Sequence, residues 1–101
     1  MAFDLHTAEI SESIGNHEEF LFLLVEEQPD SYPQLSALWD AFYKSPGLSP
    51  EQAGTVVHEL IDLLECSGGV SNKALSRLIF RLLYFFSIAA KKNQSIQCSS
   101  D

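Results

Sequence analysis

Residues Ser49–Cys66 read SPEQAGTVVHELIDLLEC, and this stretch sets the expectation for the whole chain. Ser49 stands where an N-cap accepts a backbone N–H. Pro50 suits the first helical position, and Gln52, three residues after the cap, completes a capping box. At helical periodicity Ala53, Val56, Val57, Leu60, Ile61, Leu63 and Leu64 share one face. Glu51, Thr55, His58, Glu59, Asp62 and Glu65 share the other. Gly68-Gly69 supplies a helix stop.

The same logic extends in both directions. Downstream, Ser71 caps a long helix over about residues 72–92, with Leu75, Leu78, Ile79, Leu82, Leu83, Phe86 and Ala89 on its apolar face. Lys73, Arg77, Arg81 and Lys91 run down its other side, with Phe80, Tyr84 and Ile88 among them. Upstream, Pro33 opens a helix in which Leu35, Leu38, Trp39, Phe42 and Tyr43 recur at i, i+3, i+4, i+7 and i+8. Before it, Asn16 and Glu19 resemble a capping box. Phe20 to Val25 then wrap most of the way round a further helix.

The N-terminal stretch is the weakest. Ile10 and Ile14 sit four apart, Thr7 is placed to cap and Gly15 to stop, which predicts a short helix. Phe3 and Leu5 alternate, which leaves a short strand as the alternative. The resulting expectation is an all-α fold: a compact bundle of four main helices plus a short N-terminal helix. Residues 1–101 would form a single helical domain, with 93–101 a partly ordered polar tail. Strand is expected to be nearly absent outside the two termini. Leu38, Trp39, Phe42, Val57, Leu60, Leu64, Leu78, Leu82 and Phe86 are the expected core.

The chain has 101 residues and a net charge of −8, distributed unevenly. Residues 1–65 hold thirteen acids against one base, Lys44. Residues 66–101 hold five bases against Asp101. Such an acidic body repels nucleic acid and anionic membranes, and it suits a basic protein partner. Cys66 and Cys98 are too few and too far apart for a metal motif or a disulfide scaffold, so both are expected to be reduced, with Cys98 at the surface. The first residues lack a signal-peptide pattern, and the greasy stretch 78–90 is too short to span a bilayer. A cytoplasmic location is the expectation.

No catalytic, cofactor or metal site is expected. His58-Glu59-Leu60-Ile61-Asp62 imitates the zinc helix motif His-Glu-x-x-His but puts Asp62 where the second imidazole belongs. Gly68-Gly69 lacks the Lys-Ser/Thr of a phosphate loop, and no serine lies in a Gly-x-Ser-x-Gly elbow. Charge patterning offers a candidate binding surface, whose alternative is a solvated helix face that keeps the protein soluble. Glu51, His58, Glu59, Asp62 and Glu65 form an acidic stripe, which Glu26, Glu27, Asp30 and Asp40 extend. Phe80, Tyr84 and Ile88 make a second contact face, for a partner or a homodimer.

Ser13-Ile14-Gly15-Asn16-His17, Tyr32-Pro33, Leu38-Trp39, Phe42-Tyr43, Leu48-Ser49-Pro50 and Glu59-Leu60 together resemble small bacterial immunity proteins. These neutralise the toxins of polymorphic, contact-dependent or type VI secretion systems. The resemblance covers about residues 13–65. It implies a cytoplasmic, non-enzymatic protein that binds one cognate toxin domain and occludes its active site by steric and electrostatic blockade. Many such proteins are acidic because nuclease toxins are basic. The alternatives are an adaptor, chaperone or regulatory subunit, or a phage-encoded inhibitor of host defence.

Overall fold

The computed structural model describes residues 3–41 and 44–100. Strands β1 (Phe3–His6) and β2 (Ser11–Ile14) are followed by helices α1 (Phe20–Glu27) and α2 (Pro33–Asp40). Strand β3 (Gly47–Leu48), helices α3 (Pro50–Cys66) and α4 (Lys73–Lys91), and strand β4 (Ile96–Ser100) complete the order. The strands form one antiparallel sheet in the order β2-β1-β4-β3. The all-α bundle is therefore corrected to a mixed fold of four helices packed on a four-stranded sheet. Phe42 and Tyr43, assigned above to a helix and in part to the core, lie outside the described residues.

The four helices form where periodicity placed them. Ser49 Oγ accepts the Gln52 N–H at 3.2 Å, and Gln52 Oε1 accepts the Ser49 N–H at 2.8 Å, so the capping box is made as written. The helix before α4 ends where Gly68 and Gly69 take φ of +104° and +61°, values that carry no Cβ penalty in glycine. Two caps sit one residue away from their expected positions. Asn72, not Ser71, caps α4 by accepting the Leu75 N–H, and Gly15 with Glu18, not Asn16 with Glu19, opens the 3-10 turn before α1.

The sheet replaces both the short N-terminal helix and the polar tail. Thr7 shows why the first was misread. Its hydroxyl accepts the N–H groups of Glu9 and Ile10, at 3.2 and 3.1 Å. That is the chemistry of a helix cap, used here to close a hairpin turn. At the other end Ile96 and Cys98 are buried on either side of the exposed Gln97, and β4 lies in the sheet interior between β1 and β3. Phe3, Leu5, Ile14, Ile96 and Cys98 point inward. They join residues of all four helices in one buried cluster. The opposite face carries Asp4, His6, Ser11, Ser13 and Gln97.

Of the expected core, Leu38, Leu60, Leu78, Leu82 and Phe86 are buried. Trp39, Val57 and Leu64 are half-buried against the cluster. The Trp39 ring stacks on Phe22, centroids 4.7 Å apart. Cys98 is buried rather than at the surface, and the exposed cysteine is Cys66. Burial pushes the Cys98 thiol up to about 12, so no thiolate forms there at neutral pH. A thiol reagent should therefore label Cys66 alone in the folded protein and both cysteines in urea. Equal labelling of both under native conditions would contradict a seated β4.

Candidate functional site

The acids of α1, α2 and α3 compose the candidate protein-binding surface. Glu26 and Glu27 lie in the last turn of α1, Asp30 in the turn that follows, and Asp40 at the end of α2. Glu51 lies in the first turn of α3, with His58, Asp62 and Glu65 further along it. All eight are exposed. Glu59 is not. It is 5% exposed, and its carboxylate faces the start of α2. Oε2 accepts the Gln34 N–H at 3.0 Å and Oε1 the Leu35 N–H at 2.9 Å. Glu59 is thus a distant cap for α2, which has no capping side chain at Tyr32. It leaves the binding stripe to which its sequence position assigned it.

This capping bond fixes the relation of the acidic elements. The buried Tyr32, at the entry to α2, sits against the C-terminal half of α3. Burial first, then the neighbouring Cys66 thiol and the Asp62 carboxylate, push its phenol above the ordinary value. The turn bearing Asp30 is thereby held beside the end of α3, where Asp62 and Glu65 project.

The placement of these acids runs against helix electrostatics. Helix C-termini carry partial negative charge, and acids there cost about 0.3–1 kcal/mol each when exposed. Yet α1, α2 and α3 have no basic residue in their last turns, and each carries an acid there: Glu27, Asp40 and Glu65. The exception in part is Glu26, whose Oε1 accepts the Trp39 indole N–H at 2.6 Å. Helix α4 obeys the rule, with Lys91 in its last turn. Among the described residues, every ion pair lies elsewhere: Arg81 with Glu12 and Glu18, and Lys92 with Glu9. Glu9, Glu12 and Glu18, from the N-terminal hairpin and the turn after it, are thus paired with Arg81 of α4 or Lys92 at its end, while the described acids of α1–α3 form no such pair.

The second face is also visible. Phe80 is 51% exposed and Tyr84 65%, with Ile88 half-buried beside them. Leu23 and Ile61 are exposed apolar residues within the acidic elements, and sequence periodicity had put Ile61 on the buried face. A shallow, open concavity of about 340 Å³ lies on the β1–β2 hairpin, lined by Asp4, Leu5, His6, Ser11, Glu12 and Ser13. Its lining is polar, unlike the apolar clefts that hold small molecules. No hydrogen bond links His6 to Asp4, Ser11 or Ser13.

No group of three or more His, Cys, Asp or Glu among the described residues could hold a metal ion. No helix among them is long and apolar enough to cross a membrane. Comparison with protein-family models, with curated proteins and with solved structures finds no significant match.

Proposed function

We propose that this chain is an inhibitor of the immunity-protein kind. Its acidic α1–α3 surface docks on the basic face of a cognate bacterial toxin domain and blocks it by steric and electrostatic occlusion. The observation that supports this reading is the run of uncompensated acids at three successive helix ends. A fold under selection for stability alone places bases there. Local rules broken without a compensating gain mark surfaces kept for function. A basic partner supplies the missing counter-charge on binding, and complementary charge speeds encounter and selects the partner.

The test uses one change per helix: Glu27→Gln, Asp40→Asn and Glu65→Gln. The triple variant should be more stable than wild type by about 1 kcal/mol in thermal unfolding, because each change removes an unfavourable dipole interaction. Its affinity for the cognate basic toxin domain should fall about tenfold or more, chiefly through slower, salt-sensitive association. Unchanged binding kinetics would remove this surface from the interface. A second reading, an adaptor or regulatory subunit, is favoured by the exposure of Phe80 and Tyr84. In the same assay, loss of binding on Phe80→Ser with Tyr84→Ser, but not in the acid variant, would select it.

A further inference from the structure

Strand β2 is an edge strand, paired with β1 on one side only. The hairpin turn sets which of its backbone groups face outward. The Thr7 N–H bonds to Ile10 O at 2.8 Å, so the residues paired with Leu5 and Phe3, namely Glu12 and Ile14, exchange hydrogen bonds with β1. Ser11 and Ser13 then turn their N–H and C=O away from the sheet. A row of such groups is a template for another strand.

At Ser13 both groups are already occupied by side chains. Its N–H donates to Glu12 Oε2 at 3.1 Å, and its C=O accepts from Arg81 Nη2 at 3.0 Å. Arg81 reaches this edge from α4 and is held there by carboxylates. Nη1 donates to Glu18 Oε2 at 2.8 Å, Nη2 to Glu18 Oε1 at 3.1 Å, and Nε lies 3.4 Å from Glu12 Oε2. Glu18 Oε1 also accepts the Gly15 N–H at 3.1 Å, where the chain leaves β2. The guanidinium therefore ties helix, edge strand and the following turn in a single fork. A point charge could not do this, because only the planar guanidinium donates in several fixed directions. Exposed ion pairs of this sort add little to stability, so the arrangement is better explained by what it covers.

We propose that Arg81 guards the outer edge of β2 and prevents it from pairing antiparallel with β2 of a second copy of the chain. A symmetric pairing sets Ser11 of one copy opposite Ser13 of the other, and both rings of hydrogen bonds need the Ser13 groups that Arg81 and Glu12 occupy. With Ser13 taken, this four-residue strand offers only Ser11, too little to hold a second sheet.

Sedimentation equilibrium on the full chain tests this. Arg81→Ala should raise the weight-average mass with concentration towards twice that of wild type. Adding Ser13→Pro should abolish the rise, because proline has no N–H to donate and is tolerated on an outer edge. A folded Arg81→Ala variant with wild-type mass would overturn the proposal, and so would association that survives Ser13→Pro. Amide exchange in the wild-type protein gives an independent reading that needs no variant to fold. The Ser13 amide should exchange more slowly than that of Ser11, although both lie on the same open edge. Equal rates would mean that the edge is not closed.

Discussion

Glu59→Lys is expected to unfold the protein or to cost it about 3 kcal/mol or more, even though a helical wheel puts residue 59 among the surface acids. Wild-type Glu59 is 5% exposed, and its carboxylate accepts two backbone N–H groups at the start of α2. Hydrogen bonds to a charged group contribute about 1.5–3 kcal/mol each, and orphaned buried donors cost a further desolvation penalty. Lysine would add a buried positive charge at the positive end of the α2 dipole. Glu59→Gln keeps an acceptor and should cost less than Glu59→Ala. Asp62→Lys, three residues along and exposed, should change stability by under about 1 kcal/mol. Urea unfolding of the four variants gives the ranking, and Glu59→Lys matching Asp62→Lys would refute the capping role.

A chain ended at Gln94 should lose cooperative folding. The segment removed looks dispensable by composition, being mostly Ser, Gln and Asp. It supplies β4, which pairs with β1 on one side and β3 on the other. Its loss uncovers core around Ile96 and Cys98 and leaves β1 with one partner. Deleting a single large buried aliphatic side chain costs about 2–5 kcal/mol, and whole domains are stable by only about 5–15 kcal/mol. Near-ultraviolet circular dichroism around Trp39, followed through a urea titration, is the measurement. A sharp transition like that of the full chain would show that β4 is an accessory.

These two predictions mark where the sequence could be read and where it could not. Helices α3 and α4 were legible because everything that specifies them is local: a cap, an apolar stripe and a pair of glycines after α3. The sheet was not. Each strand contributes at most two inward apolar residues, Phe3 and Leu5 or Ile96 and Cys98, and the partner that completes β1 lies at the far end of the chain. Alternation that short is indistinguishable from chance until pairing reveals it. Most of the acidic surface was readable from charge patterning. Glu59 was misplaced because a helical wheel describes one helix and is blind to its neighbour. A signal existed: Tyr32-Pro33 starts a helix with no Ser, Thr, Asp or Asn at the cap, so its first N–H groups needed an acceptor from elsewhere. Arg81 could not be told from Arg77 by sequence, since only the hairpin beside it distinguishes them.

The register that sets Phe3 opposite Ser100 also orders events in time. The β1–β2 hairpin and the α3–α4 pair close over short separations and can form early. The β1–β4 ladder must bring together segments more than ninety residues apart, at a loop-closure cost the helices escape. A two-stranded hairpin alone is marginal in water, and β1 gains its second hydrogen-bonded neighbour only when β4 docks. Completion of the sheet therefore waits on the meeting of β1 and β4. During synthesis β1 lacks this neighbour until β4 has been made.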